Sequence, residues 1–269
     1  MKTYKALTIA GSDSGGGAGI QADLKTFQEL GVFGMTAITA ITAQNTLGVQ
    51  GVYPVPIEGI SEQIDSIGAD LTPDAVKTGM LFNSEIIKVV SEKIKQYSWT
   101  NLVVDPVMIA KGGAPLLQEE AIDALKHFLL PIATVITPNI PEAEVLSGQK
   151  IQSINDRKKA AEIIFNLGAK NVMIKGGHSE GEAMIDLLFD GNEFFQFESK
   201  RIVTKNTHGT GCTFSAAITA ELAKGKNIRE AIAIAKDFIQ AAIEVDLMIG
   251  SGHGPTNHWA YRRKCAQRK

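Results

Sequence analysis

The residues best suited to chemistry lie in the phrase Asn206-Thr207-His208-Gly209-Thr210-Gly211-Cys212-Thr213-Phe214. Phe214, Ile218 and Leu222 continue it at helical spacing, with Ala216, Ala217, Ala220 and Ala223 between them, so a helix is expected to start near Cys212. The amides of Gly209, Thr210, Gly211 and Cys212 would then point at one spot, backed by the positive end of the helix dipole, and form an anion hole. The same field favours the thiolate of Cys212, since cysteine pKa values fall from ~8.5 at helix N-termini. A packed, inert cysteine is the alternative. His208 either reaches phosphate or caps the turn.

Further candidates stand where apolar runs end. Gly11-Ser12-Asp13-Ser14-Gly15-Gly16-Gly17-Ala18-Gly19 lies between a strand and a helix, and its lack of side chains opens the backbone amides to a ligand. Gly19-Ile20-Gln21 lacks the Lys-Ser/Thr ending of a P-loop, and the second strand ends in Ala43-Gln44-Asn45 rather than the acid of a dinucleotide fold. A merely permissive turn is the alternative. Asp23 falls on or beside the apolar stripe Ile20, Leu24, Phe27, where a carboxylate needs a partner, either a substrate donor or an internal hydrogen bond. Gln44 offers a donor and an acceptor, which suits a nitrogen heterocycle with an exocyclic amine; otherwise it bonds loop backbone. Asp105, after Leu102-Val103-Val104, is placed for Mg²⁺, which takes one or two protein carboxylates. Glu142 is the second such carboxylate, although Asn139 as N-cap with Glu142 three residues on reads equally as a capping box. Lys175, ahead of Gly176-Gly177-His178, can reach phosphate as a mobile charge or stand free in a turn.

These loops need a scaffold that brings strand ends together. Short apolar runs at 6–10, 36–43, 75–77, 102–104, 134–136 and 172–174 alternate with amphipathic stretches, the pattern of βα units on a largely parallel sheet. Residues 184–188 and 194–197, split by Asp190-Gly191-Asn192, predict an antiparallel hairpin late in the chain, and helices are expected over 212–224 and 228–248. In such α/β sheets ligands sit beyond the strands' carboxyl ends.

The composition fits this scaffold. The 269 residues carry 27 Lys or Arg against 29 Asp or Glu, a balance that argues against a surface built for nucleic acid or acidic membranes. Two cysteines, Cys212 and Cys265, exclude a disulfide framework and suggest a cytoplasmic setting. With no linker, repeat or leader pattern, one domain over 1–269 is expected, its basic end at 260–269 a solvated tail.

Four ordered segments resemble the ribokinase-like vitamin kinases, and within them the hydroxymethylpyrimidine/phosphomethylpyrimidine kinases of thiamine biosynthesis. They are residues 10–23, Val104-Asp105-Pro106-Val107-Met108, Thr137-Pro138-Asn139-Ile140-Pro141-Glu142 and residues 206–212, and the likeness runs from about residue 5 to 258. The resemblance implies a three-layer α/β/α sandwich, ATP and Mg²⁺ as cofactors, and pairing as a homodimer. It implies that Asp105 and Glu142 serve Mg²⁺, that Lys175, Asn139 and His208 serve ATP, and that Gly209, Thr210, Gly211 and Cys212 surround the transferring phosphoryl group. Gln44, Gly11, Asp23, Met80 and Val107 would border the pyrimidine. Sugar kinases of this fold carry an aspartate where Cys212 stands, so the thiol would be the base. The reaction implied is phosphorylation of 4-amino-5-hydroxymethyl-2-methylpyrimidine and then of its monophosphate. A pyridoxal or pyridoxine kinase is the nearest alternative, and a ligand-sensing domain without turnover a remoter one. The glycine-rich stretch 176–182 is the expected flap.

Overall fold

A computed structural model of the chain describes residues 2–108, 119–177 and 183–266. Among these, nine strands form one sheet: β1 Lys5–Asp13, β2 Phe33–Asn45, β3 Gly48–Pro54, β4 Ala75–Thr78, β5 Leu102–Val104, β6 Val135–Ile136, β7 Val172–Ile174, β8 Ala183–Phe189 and β9 Phe194–Lys200. Their order is β3-β2-β1-β4-β5-β6-β7-β8-β9. The run from β2 to β7 is parallel. β3 is antiparallel to β2, and β8 and β9 are antiparallel at the other edge. The expected late hairpin is present. The early antiparallel strand β3 was not expected from the sequence: its half-exposed Gly48-Val49-Gln50-Gly51 opening lacks alternation, and it begins from a turn in which Asn45 Oδ1 accepts from the Leu47 amide at 2.9 Å.

The parallel strands bury both faces, so neighbouring residues serve different layers. Leu7, Val76, Leu102 and Val104 pack under α2 (Ile57–Asp70), α3 (Ser84–Gln96), α4 (Glu119–Ala124), α5 (Ile140–Ser147) and α6 (Ile154–Asn166). Ala6, Ala75, Val103, Val135 and Met173 face α1 (Gly19–Glu29), α7 (Thr210–Ala223) and α8 (Ile228–Glu244). This is the expected three-layer sandwich. Small side chains on α7, Ala216, Ala217 and Ala220, are fully buried and let that helix lie close to the sheet.

Two boundaries differ from expectation. α7 begins at Thr210, because Gly209 at φ +79° takes the N-cap that the pattern set later. The basic end is not wholly a solvated tail: Ala260–Ala266 forms α9, with Ala260 buried and the Tyr261 ring 5.2 Å from that of Phe238. Residues 178–182 of the expected flap lie outside the described residues.

Candidate active site

The carboxyl ends of β1, β2, β4, β5, β6 and β7 open on one edge of the sheet, and the N-terminus of α7 is laid across it. No side chain caps α7; the Thr210 amide donates to the Thr207 carbonyl at 3.4 Å, and the amides that follow it in the first turn keep the donors that helix geometry leaves without partners. Gly209 is required twice. Its φ is positive, and a side chain there would overlap the Gly17 carbonyl, so the first glycine loop closes directly on the cradle.

Lys175 and Asp105 meet beneath this helix end. Lys175 Nζ lies 3.2 Å from Asp105 Oδ1, Ser215 Oγ donates to Asp105 Oδ2 at 3.0 Å, and Thr137 Oγ1 stands 3.4 Å from Oδ1. A methyl group added to Gly211 would sit 3.4 Å from Lys175 Nζ and 3.8 Å from Asp105 Oδ2. Burial works against the Asp105 charge, but Lys175, Lys77 and Ser215 outweigh it and hold the carboxyl below its usual range. Lys175 is likewise held charged against burial by Asp105 and Glu142. Its backbone is fixed on both sides: its amide donates to the Pro138 carbonyl at 2.8 Å, and the next amide, of Gly176, donates to Asp186 Oδ1 at 2.5 Å.

Asn139 and Glu142 form the capping box expected as one of two readings. Glu142 Oε2 accepts from the Asn139 amide at 2.8 Å, and Asn139 Oδ1 from the Glu142 amide at 2.8 Å. Glu142 nevertheless belongs to the same electrostatic group as Asp105. Burial, and then the Asp105 charge, push its carboxyl up to about 7 although Lys175 pulls it down. A carboxyl whose proton affinity is raised by a second carboxylate beside it fits a divalent cation. Among the described residues no set of three or more His, Cys, Asp or Glu gathers as a metal cage.

The structure corrects the expectation for Cys212. The helix end was expected to favour the thiolate. Burial dominates instead, and with the charges of Asp23 and Asp105 it pushes the thiol up to about 12, against Lys77 and a hydrogen bond from the Gly19 amide. Cys212 is half-buried, and its surroundings favour the protonated thiol at neutral pH.

Asp23 has the internal partners that were one of its two readings. It is fully buried, its Oδ2 3.0 Å from Lys77 Nζ and accepting from Thr8 Oγ1 at 2.6 Å, while Oδ1 has no partner. Burial would neutralise Lys77, yet the charges of Asp23 and Asp105 raise its proton affinity, so the ammonium stays charged under the cradle. Sequence reasoning missed Lys77 because it lies inside a strand whose neighbours read as plain core.

The first glycine loop also differs from expectation. Three amides that were to face a ligand donate to the Asp13 carboxylate: Gly15 at 2.8 Å, Gly17 at 3.1 Å and Ala18 at 2.8 Å. Burial raises the Asp13 carboxyl, but His208 and these amides overcome it and hold it low. His208, expected at phosphate or as a turn cap, has Nε2 2.8 Å from Asp13 Oδ2 and 3.3 Å from Gln44 Nε2. Gln44 therefore joins the glycine loop to the cradle, with its backbone amide donating to Ser14 Oγ at 2.8 Å. Gly11 lies against the Met80 methyl group, and the Val107 amide donates to the Asp105 carbonyl at 2.8 Å. A carboxylate two to five residues before a glycine run is the signal that would have found Asp13.

Among the described residues no helix is long and apolar enough to cross a membrane. Residues 13–257 match the family described as phosphomethylpyrimidine kinase. The chain is 60% identical over 264 residues to the hydroxymethylpyrimidine/phosphomethylpyrimidine kinase of Bacillus subtilis (strain 168), covering 98% of this chain and 97% of that one. It is 52% identical over 252 residues to the Geobacter sulfurreducens thiamine biosynthesis bifunctional protein ThiED, covering 94% of this chain and 51% of the other. Pyridoxal kinase from Staphylococcus aureus, solved in complex with AMP-PCP and pyridoxal, superposes with a TM-score of 0.90 at 44% identity, covering 98% of this chain and 96% of that one. The expected sandwich and the four ordered motifs thus have a common explanation: the chain belongs to the phosphomethylpyrimidine kinase family.

Proposed function

We propose that this chain transfers the γ-phosphoryl group of ATP to the hydroxymethyl oxygen of 4-amino-5-hydroxymethyl-2-methylpyrimidine, and then phosphorylates the monophosphate, as a step of thiamine biosynthesis. The observation that carries the reading is the convergence of Lys175, Asp105 and the uncapped N-terminus of α7 beside the Gln44 loop. Such a site holds phosphate at one end and a heterocycle at the other.

Lys175 would hold phosphate oxygens by charge, with its present partner Asp105 turning to the metal. Asp105 and Glu142 would hold Mg²⁺, with Asn139 keeping Glu142 in place; the ion neutralises phosphate charge and orients the transferring group. The Gly209, Thr210, Gly211 and Cys212 amides would stabilise charge that develops during transfer. Gln44, Met80, Val107 and the Gly11 backbone would seat the ring, with Asp23 holding the floor beneath through Lys77. Cys212 stands in the first turn of α7, among the amides of the cradle. As its thiol is protonated at neutral pH, the hydroxyl proton would leave late and pass to an oxygen of the transferred phosphoryl group, which a loose phosphoryl-transfer transition state permits.

The complex of the S. aureus enzyme with AMP-PCP and pyridoxal supports ATP as donor and favours one rival, a pyridoxal kinase on the same fold. The higher identity to the pyrimidine kinase favours the first reading. On family likeness we also place the whole chain as one catalytic unit, working as a homodimer in the cytoplasm. Phosphorus NMR of the chain with ATP, Mg²⁺ and the aminopyrimidine carbinol should show the monophosphate and then the diphosphate. Accumulation of the monophosphate alone would remove the second step, and unchanged ATP would remove the reading.

A further inference from the structure

The hydrogen bonds around Gln44 do more than hold it. The Gln44 carboxamide lies between two fixed groups, Oε1 3.0 Å from Thr42 Oγ1 and Nε2 3.3 Å from His208 Nε2. Each neighbour already has an obligation. Thr42 Oγ1 lies 2.8 Å from the Ser12 carbonyl, which only accepts, so the single hydroxyl proton of Thr42 belongs there. His208 Nε2 lies 2.8 Å from Asp13 Oδ2, an ionised carboxylate that also only accepts, so Nε2 carries the proton. In that arrangement Gln44 sets two acceptors face to face at Thr42 and two donors face to face at His208. Turning the carboxamide end for end removes both mismatches. Its NH2 then donates to Thr42 Oγ1, and its carbonyl shares the His208 Nε2 proton with Asp13 as the weaker, longer acceptor. The two ends of an amide are nearly equal in size, so hydrogen bonding decides between them.

We infer that Thr42 and His208 are positioning residues that fix the direction of the Gln44 carboxamide, and that this direction decides which way round the pyrimidine binds. The inference rests on the substrate reading given above. With the amide so turned, one N–H on the Thr42 side and one carbonyl lone pair on the His208 side are left for a ligand. His208 directly precedes Gly209, the N-cap of α7, so the carbonyl faces the cradle side. In the aminopyrimidine the 4-amino group adjoins the carbon bearing the hydroxymethyl group, and ring N3 lies one atom further away. An amine donating to Gln44 Oε1, with N3 accepting from Nε2, therefore turns the hydroxymethyl group toward Cys212 and the amides. The opposite amide direction would turn it away. Pyridoxal offers an aldehyde oxygen in place of the amine, which would set an acceptor against the Gln44 carbonyl. The Gln44 backbone is held by Ser14, whose hydroxyl donates to its carbonyl and accepts from its amide at 2.8 Å each, so only the side chain remains to be directed.

The test compares kcat/KM, with ATP and Mg²⁺, for the aminopyrimidine carbinol and for 5-hydroxymethyl-2-methylpyrimidine, which lacks the amine. Thr42→Val keeps the shape of a buried side chain and removes the acceptor for NH2; Thr42→Ser keeps the acceptor. The ratio of the two substrates should fall about three- to tenfold in Thr42→Val, the range expected for one neutral hydrogen bond, and stay at the wild-type value in Thr42→Ser. His208→Leu should lower the ratio in the same way from the other side, with His208→Gln, which retains a donor, closer to wild type. Equal losses on both carbinols would show that Thr42 and His208 serve structure alone and would overturn the inference while leaving the kinase reading intact. A wild-type chain that phosphorylates neither carbinol would overturn both.

Discussion

Replacing Lys77 with methionine removes one half of an ion pair that has no access to water. Both side chains are 0% exposed, and their charged atoms lie 3.0 Å apart. The Asp23 carboxylate would keep only the Thr8 hydroxyl, since its Oδ1 has no partner to share the load. An uncompensated buried charge left by such a truncation costs about 3–5 kcal/mol. The cost depends on pH, and its sign is fixed by burial, which raises the Asp23 carboxyl above its ordinary 3.8. A carboxyl with a raised folded value is tolerated below the unfolded value and destabilises as pH climbs through the folded one. Lys77→Met should therefore lose about 3–5 kcal/mol at pH 8 and clearly less at pH 4, read from urea midpoints at constant m. Adding Asp23→Asn to Lys77→Met should recover part of the loss at pH 8 and little at pH 4. A loss under about 1 kcal/mol at pH 8, or one that is the same at both pH values, would refute the argument.

Glu142, raised from 4.5 to about 7, contributes stability that is fully present below pH 4.5 and is lost as pH rises through about 7. Glu142→Gln should accordingly be more stable than wild type at pH 8, by up to about 3 kcal/mol, and equal to it near pH 4, again by urea denaturation. Gly209→Ala should cost about 1–3 kcal/mol for its positive φ, and kcat should fall at least about tenfold as the alanine methyl pushes against Gly17. Cys212, with its thiol near 12, should resist iodoacetamide at pH 7.5 while the exposed Cys265 is alkylated, as followed by peptide mass spectrometry. Labelling of Cys212 first would contradict the burial argument.

Much of the scaffold was legible because buried parallel strands are short apolar runs: Leu102–Val104 and Val172–Ile174 fall where the pattern sets them. β3 was not, since an edge strand packs one side only and its glycines and polar residues carry no periodic signal. At the site, residue type and strand-end position sufficed to bring Asp105, Lys175 and Gly211 to one place. Ionisation was not legible. The field at a helix end argues for a thiolate at Cys212, but depth of burial and the neighbouring Asp23 and Asp105 reverse the sign, and neither is visible along the chain. Asp13 and His208 are 195 positions apart in sequence. Nothing local announces that one carboxylate gathers three loop amides and a histidine from the far end of the chain. Lys77 escaped because it closes the run 75–77, which reads as a plain buried strand, and its partner Asp23 on α1 lies 54 positions away.

The most direct test of the account is kcat/KM, at pH 7.5 with ATP and Mg²⁺, for 4-amino-5-hydroxymethyl-2-methylpyrimidine against pyridoxal. The donor and acceptor that Gln44 presents between Thr42 and His208 predict a clear preference for the aminopyrimidine. A preference for pyridoxal, or no ATP consumed with either carbinol, would contradict it.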